Sequence, residues 1–514
     1  MKNIMFAALL VFLTTVAVAT ASATDVVRRN GCRVGTPNPQ YVPHRAPLLQ
    51  RGENKFIGNR RQMVVLASFQ DQDFAEDHEA TLSAWDKLFN AKDFSDDMFV
   101  GSVHDYFLSQ SYGQFNLSFD LLFVELPGER SKYRSTNNDD ENSQYMVDDI
   151  VDALMVQDID WSLYDWDGDS FIDQLLIIFA GKGMNASGGS NSIWPHQWWL
   201  SQHLDLTTED PNDYRSYRTV TSGDKEYYID TYCCVQEIIN NGNVKTSFGT
   251  ICHEYSHCFG FPDFYNESSY VGDWDLMDYG NYNGYGFRPT GYSAHERMLM
   301  GWLTPIELTS ATHITDMPAL CDEPTAYLIR NDGAENEYYI IENRQQKGWD
   351  EKLPGKGIVI FHVDYAKEIW EGVVNGVPNT YSKKRYDIFH ANNTTGYKNS
   401  EDWPYPYMNS NGESLEINNE LTNTSKPAAT LNNANIDGEL LMSKPITEMA
   451  VDANGLASFV FMDRTSTSIK PLAIQDAQTT DQDSGWYAID GRKLNGQPTV
   501  KGLYIHGGKK TVIP

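Results

Sequence analysis

The chain has 514 residues and a formal net charge of −30, with a pI near 4.7. This length predicts two or three domains with room for a sizeable apolar core. The strong acidity argues against nucleic-acid binding, and it suits an exported protein that stays soluble and attracts divalent cations. The six cysteines show no spacing that identifies a disulfide framework.

The N-terminus has the pattern of a targeting segment. Lys2 is followed by the apolar run MFAALLVFLTTVAVA and then by small residues. This pattern predicts a cleaved signal peptide over residues 1–23, because the run is too short for a spanning helix. No later run is long and apolar enough to cross a bilayer, so we expect no transmembrane segment. The protein is therefore expected to be secreted or held at the cell surface.

Residues 24–58 are polar and without periodicity, which predicts a short propeptide or N-terminal extension. From residue 59 to about 310, strand-like and helical patterns alternate. The runs MVVLASF, LSFDLLFVEL and QLLIIFAG predict buried strands, and QYMVDDIVDALMV has helical spacing. This alternation predicts an α+β fold in which helices pack on a mixed twisted sheet. The run IWPHQWW, with His196, is expected to form a buried aromatic cluster, and a substrate subsite is the alternative.

An aspartate-rich loop lies just before the third predicted strand. Its carboxylates belong to Asp165, Asp167, Asp169 and Asp173. Carboxylates at alternating positions of a tight turn can converge on one hard cation, for which Ca²⁺ is the expected ion. The loop departs from an EF-hand, because its glycine is Gly168 and because Leu176 stands where a closing glutamate is expected. Two interpretations therefore stay open: a calcium site, or a turn that is rich in aspartate and holds no ion.

The stretch ICHEYSHCFGFPDFYN, residues 251–266, places two histidines four apart around a glutamate. On a helix, His253 and His257 lie one turn apart on the same face and can share one metal ion. Glu254 projects beside that pair, where it can hold and deprotonate a water molecule. This is the H-E-x-x-H arrangement of zinc hydrolases.

The residues after the second histidine predict the end of the helix and a third ligand. Gly260 can take the left-handed conformation that ends a helix, and Pro262 prevents the helix from resuming. The turn can bring Asp263 back toward the metal. Asp275 and Asp278 also lie near in sequence and could substitute for it or support the histidines. Two imidazoles and one carboxylate leave a fourth position open for water, as in catalytic zinc sites.

The signature H-E-x-x-H-x-x-G-x-x-D, formed by residues 253–263, resembles that of the M6 metallopeptidases, the immune inhibitor A group. These are relatives of the metzincins whose third ligand is aspartate. Further similar stretches in the family's order are GSVHDYFLSQSYGQF (101–115), YDWDGDSFIDQLLIIFAGKG (164–183), SIWPHQWW (192–199), WDLMDYG (274–280) and EYYIIENRQQKGWDEKLPGKGIVIFHVDY (337–365). Together they cover roughly residues 60–460. The resemblance implies a metzincin-like zinc protease domain over residues 59–310, in which His253, His257 and Asp263 hold Zn²⁺.

The resemblance also implies roles for two residues of WDLMDYG. Met277 occupies the place of the methionine that lies in a turn beneath the metal in metzincin-like enzymes, which is a packing role. Tyr279 matches the spacing of a tyrosine that contacts the zinc or the developing oxyanion in some metzincins. The alternative for Tyr279 is an aromatic residue at the rim of the site.

Segments on either side of the expected catalytic domain carry weaker patterns. NGCRVGTPNP loosely resembles the cysteine switch of metzincin zymogens, so Cys32 could occupy the open zinc position; otherwise it pairs elsewhere or stays free. Residues 311–463 show short strands between Gly, Pro and Asn turns, which predicts a β-rich, sandwich-like accessory domain. A polar linker, 464–483, follows.

Residues 484–514 resemble the C-terminal sorting segment of proteins that bacteria export by type IX secretion. That resemblance implies export machinery as a partner. The alternative is a small hairpin that completes the preceding domain.

The sequence thus predicts a secreted, monomeric zinc endopeptidase that hydrolyses peptide bonds of extracellular proteins. Glu254 is the expected general base and acid, Zn²⁺ is the expected cofactor and Ca²⁺ a second candidate ion. Protein or peptide substrates are the expected partners. The alternative is a surface binding protein whose metallopeptidase-like site is unused, and the intact Glu254 argues against it, since such a site needs no base.

Overall fold

A computed structural model describes most of the chain after residue 55. The described residues are 56–95, 98–134, 142–186, 192–205, 214–238, 248–265, 271–370, 379, 383–410, 415–463, 485–488, 493–506 and 509–513. The predicted signal peptide, Cys32 and the linker 464–483 lie outside the described residues. The chain divides into two compact units, residues 1–464 and 465–514.

The helices of the first unit are short. They are α1 His78–Asn90, α2 Val103–Gln110, α3 Arg130–Tyr133, α4 Ser143–Met155, α5 Phe248–Phe259, α6 Ala294–Leu299 and α7 Lys367–Trp370. Capping boxes start α2 and α6, at Ser102 with Asp105 and at Ser293 with Glu296, because each serine and acidic side chain accepts amide hydrogens that the first turn leaves unpaired. No helix among the described residues is long and apolar enough to span a membrane.

Seventeen strands lie in the described part of the first unit. They are β1 Gly58–Ser68, β2 Phe115–Glu125, β3 Leu175–Lys182, β4 His196–Trp199, β5 Arg218–Ser222, β6 Lys225–Ile229, β7 Thr231–Ile238, β8 Ile306–Glu307, β9 Thr312–Met317, β10 Tyr327–Asn331, β11 Ala334–Arg344, β12 Gly357–Asp364, β13 Tyr386–Ile388, β14 Tyr407–Ser410, β15 Leu415–Asn418, β16 Ile446–Val451 and β17 Ala457–Phe461.

The first sheet has the strand order β2-β1-β3-β7-β4. Its first four strands are parallel and β4 is antiparallel to β7. The continuous apolar runs in β1 and β3 follow from burial on both faces, which is typical of parallel strands covered by helices. Helix α5 packs against β7 and β4. The predicted mixed sheet with packed helices, and the coarse α and β composition of the fold, are confirmed.

A second five-stranded sheet, ordered β13-β12-β11-β10-β8, joins the two hydrophobic cores of the first unit. Since side chains alternate along a strand, Tyr338 and Ile340 of β11 pack in the core of the first sheet. Tyr339 and Ile341 face the second core, which includes residues of β9, β16 and β17. Those three strands form a third sheet. The second sheet therefore connects the α5 region to the β-rich region.

In the second unit, the described strands are β18 Trp486–Ala488, β19 Lys493–Leu494, β20 Gly502–His506 and β21 Lys509–Ile513. They form an antiparallel sheet in the order β19-β18-β20-β21.

Candidate metal centre

Helix α5 carries the two histidines and is buried along its whole length. It ends where the sequence predicts, because Gly260 has φ +101° and its amide donates to the carbonyl of His257 at 2.8 Å. The chain then turns, and Phe264 N donates to the carbonyl of Met277 at 3.0 Å. This backbone pairing fixes the position of Asp263 relative to α5 and to the loop that contains Met277.

The turn brings three candidate ligand atoms together. Asp263 Oδ1 lies 3.3 Å from His253 Nε2 and 3.3 Å from His257 Nε2. All three side chains are at most 3 % exposed, and the two imidazole rings are nearly perpendicular at 86°. A carboxylate oxygen of Glu254 lies within 4.8 Å of the histidine nitrogens.

The donor set fits a zinc ion in three respects. Ligand atoms about 2.0–2.1 Å from a tetrahedral centre are separated from one another by about 3.3 Å, which matches the observed distances. His253 Nδ1 and His257 Nδ1 lie 2.8 Å from the carbonyl oxygens of Leu276 and Phe261, so each ring can donate from Nδ1 and present its Nε2 lone pair. Neither buried oxygen of Asp263 accepts a well-aligned hydrogen bond from a described residue, a cost that a bound cation would remove.

The electrostatics of the cluster also favour a cation. Burial lowers the pKa of His253, but the contact with Asp263 and the charges of Glu254 and Asp263 outweigh burial and raise this pKa to about 9. For Asp263, burial opposes ionisation, yet the facing His257 and His253 hold the pKa of its carboxyl below the usual value. A carboxylate kept ionised in a buried place is suited to a positively charged partner.

The other two aspartates that the sequence suggests as ligands are engaged in building the loop beneath His253. Asp275 accepts hydrogen bonds from Met277 N and Tyr386 Oη, both at 2.8 Å. Asp278 Oδ2 accepts hydrogen bonds from the amides of residues 271 and 272 at 3.0 and 2.8 Å. Met277 is fully buried, in keeping with a packing role.

A cleft of about 330 Å³, its open mouth included, adjoins His253 and Glu254. Tyr279 lines this cleft, and its ring stacks on that of Tyr265 with centroids 6.3 Å apart. Burial, and then the nearby charge of Asp278, raise the pKa of Tyr279. A position in this cleft is expected both for a tyrosine that contacts the oxyanion and for an aromatic residue at the rim, so both interpretations stay open.

The sequence did not single out several other residues of the cleft. Tyr282 follows Tyr279 on the same segment, and burial together with the charge of Glu254 raises its pKa. Asn185 comes from the segment before β4. The run IWPHQWW, which the sequence did single out, is largely buried, and its Trp194 and Pro195 also line the cleft, where the alternative of a substrate subsite puts them. Tyr282 could have been identified as a cleft residue from the sequence, because it lies three residues after Tyr279. The positions of residues 185 and 194 beside the cleft depend on the fold.

The structure brings together three of the four aspartates of the candidate calcium loop. Asp165, Asp167 and Asp169 each offer an oxygen within 4.8 Å of the others. Asp173 Oδ2 instead accepts a hydrogen bond from Trp166 N at 2.6 Å. The oxygens of Asp165 also accept amide hydrogens, from Gly168 at 2.8 Å and Ser170 at 3.1 Å. Both interpretations of the loop predict such a tight turn.

Comparison with known proteins identifies relatives for the part of the chain that contains this cluster. Residues 55–302 match the sequence profile of the immune inhibitor A peptidase M6 catalytic domain. The chain is 25 % identical over 298 residues to Immune inhibitor A of Bacillus thuringiensis subsp. alesti, an alignment that covers 49 % of this chain and 41 % of that protein. It is 23 % identical over 308 residues to the pre-pro-metalloprotease PrtV of Vibrio cholerae serotype O1, covering 51 % of this chain and 32 % of that protein. The chain therefore spans less than half the length of these two relatives.

Proposed function

We propose that this chain, whose residues 55–302 match the catalytic domain of the M6 peptidases, is an exported zinc-dependent endopeptidase that cleaves proteins. One observation carries the proposal: His253 Nε2, His257 Nε2 and Asp263 Oδ1 converge beside the carboxylate of Glu254. Their separations and chemistry suit Zn²⁺ with a position left for water. The same geometry favours Asp263 over Asp275 and Asp278 as the third ligand, since the latter two hold backbone amides.

Zinc, when bound to these three side chains, would polarise the attacking water and the scissile carbonyl. Glu254 would take the proton from that water and pass it to the leaving amine. Glu254 is 2 % exposed and lines the cleft, so its carboxylate faces the cleft with little access to bulk water. The Nδ1 contacts of the two histidines would keep the rings aligned for the metal.

Tyr279 would donate a hydrogen bond to the oxyanion that develops on the carbonyl. We expect Tyr279→Phe to lower kcat for casein cleavage by about 10²-fold, the usual effect of losing one oxyanion donor. Tyr285→Phe is the matched control on the same segment, since Tyr285 is 85 % exposed and lies outside the cleft lining. A Tyr279→Phe enzyme with full kcat would remove this role and leave Tyr279 as a rim aromatic.

The test of the proposed function is zinc stoichiometry together with casein cleavage by the secreted protein. We expect one zinc ion per chain, loss of cleavage when a zinc chelator removes the metal, and recovery when zinc is restored. Bound zinc without cleavage of casein or of a peptide library, before and after mild proteolysis of residues 24–58, would instead support the surface binding protein.

Export itself rests on sequence patterns: the signal peptide over 1–23 and the sorting-like tail over 484–514. The metzincin-like detail of the protease domain, the sandwich-like accessory domain over 311–463 and the monomeric state belong to the same proposal. Removal of residues 484–514 would abolish export if the tail is a sorting segment.

We also propose that Asp165, Asp167 and Asp169 bind Ca²⁺, with Asp173 supporting the loop. Calcium at about 100 times its Kd stabilises a folded protein by about 2.7 kcal/mol, which should raise the thermal midpoint by several degrees. The same titration of an Asp167→Asn variant is the control, since that change removes one of the charged ligands. A midpoint that responds neither to calcium nor to a calcium-specific chelator would contradict the site.

A further inference from the structure

The cleft beside Glu254 contains buried polar atoms that the protein itself does not satisfy. Asn281 Oδ1 and Thr250 Oγ1 line the cleft, and neither atom has a hydrogen-bond partner among the described residues. Asn281 is 4 % exposed and Thr250 is 2 % exposed, so burial without a partner carries a real cost. Asn185 is half-buried and also lines the cleft, and its Oδ1 atom is buried without a partner among the described residues. All three oxygens can accept a hydrogen bond.

The backbone holds these oxygens in place. Thr250 lies on α5, about one turn before His253. A Cβ atom on Gly249 would lie 1.8 Å from the carbonyl oxygen of Asn281, so only glycine lets the segment of Asn281 pack this closely on the helix. The side chains of Asn185 and Asn281 both hydrogen-bond with Tyr282, which turns their amide groups toward its hydroxyl and leaves their oxygens as acceptors.

The remaining walls of the cleft favour a positive charge. Asp278 is 1 % exposed and lines the cleft, as does Glu254, so two acidic side chains border the pocket. The aromatic rings of Tyr265 and Tyr279 lie stacked in the lining, to which Trp194 also belongs. Aromatic faces attract ammonium and guanidinium groups, and acceptor oxygens pair with their N–H groups. No lysine or arginine is among the residues that line the cleft, and the one histidine of the lining, His253, has its Nε2 paired with Asp263 at 3.3 Å.

We propose that this pocket binds the side chain of a substrate lysine or arginine next to the scissile bond, with Asn185, Thr250 and Asn281 as specificity-determining residues. The inference rests on the proposed peptidase function and narrows its substrates to basic sequences. The enclosed part of the cleft is small, about 20 Å³, so it suits the end of one side chain, with the stem in the open mouth, rather than a larger group.

The test compares peptides that differ at one residue beside the scissile bond: Lys, Arg, Gln, Met or Glu. We expect kcat/KM for the Lys and Arg peptides to exceed that for the Met peptide by roughly tenfold or more, the effect of hydrogen bonds to a charged group. Asn281→Leu and Thr250→Val keep the volume but remove the acceptors, so each should lower the Lys-to-Met ratio several-fold. Thr81→Val is the matched control, since Thr81 is also 2 % exposed but lies on α1, outside the cleft lining.

Direct binding gives a second readout that does not depend on turnover. The zinc-loaded parent protein should bind a Lys peptide whose scissile bond is non-hydrolysable about tenfold more tightly than the matching Met peptide in calorimetry, for the same reason. Equal kcat/KM for Lys and Met peptides, or unchanged selectivity in the Asn281→Leu and Thr250→Val proteins, would overturn the inference while the peptidase stands. Equal kcat/KM for Lys and Gln would overturn the role of charge. Failure of the parent to cleave casein or any peptide would overturn both proposals, whereas cleavage of casein without a preference for Lys or Arg would overturn only this inference.

Discussion

Glu254→Gln should reduce kcat for casein cleavage by about 10²-fold or more while zinc stoichiometry stays at the parent value. The variant keeps the size of a side chain that is 2 % exposed, so packing around α5 changes little. It removes the basic carboxylate, and no proton can then be taken from the attacking water. The three proposed ligands are untouched, which is why the metal should remain. Zinc content and initial rates on the same preparations check the result.

A matched control separates the loss of this carboxylate from the loss of any buried carboxylate. Glu237 on β7 is 1 % exposed and accepts hydrogen bonds from the amides of Ala75 and Gly181. Glu237→Gln should keep most of the activity, with at most a lower thermal midpoint, because Glu237 lies outside the cleft lining. Activity of Glu254→Gln within about tenfold of the parent would overturn the mechanism, since a general base contributes roughly 10²-fold or more.

Asp263→Ala should abolish stoichiometric zinc binding, and with it the cleavage of casein. Changing a residue that only supports a metal ligand costs about 10–100-fold in metal affinity, so loss of a direct ligand should exceed about 100-fold. The structural reason is that Oδ1 lies 3.3 Å from both Nε2 atoms and neither oxygen is committed to another described group. Zinc affinity, measured by competition with a chelator, checks the prediction.

Asp275→Ala is the comparison that assigns the third ligand. Burial raises the pKa of Asp275 to about 7, in spite of its hydrogen bonds from Met277 N and Tyr386 Oη. Loss of those bonds should lower the thermal midpoint. It should also loosen the loop whose Leu276 carbonyl lies within hydrogen-bond distance of His253 Nδ1. Zinc should still bind at one ion per chain. The reverse pattern, with zinc kept in Asp263→Ala and lost in Asp275→Ala, would give the ligand role to Asp275.

The local parts of the site could be predicted from the sequence, because their geometry depends on near neighbours. Four-residue spacing places His253 and His257 on one face of α5, whatever surrounds the helix. Gly260 takes a positive φ at the predicted helix end. Runs such as MVVLASF and QLLIIFAG became β1 and β3, since an unbroken apolar run of that length is typical of a strand covered on both faces.

The candidate third ligand and the chemistry of the cleft were decided by the tertiary structure. Asp263, Asp275 and Asp278 are of one residue type and close in sequence, and only the pairing of Phe264 N with Met277 O shows which carboxylate faces the histidines. Asn185 and Trp194 reach the cleft from β-sheet loops far from α5 in sequence, and Asn281 does so because Gly249 admits its backbone. Sequence spacing therefore determined the candidate ligand pair and the candidate base, which lie on one helix. The fold decided which residues surround them. Those contacts join segments that are far apart in the sequence, and no periodic pattern of residues predicts which distant segments meet.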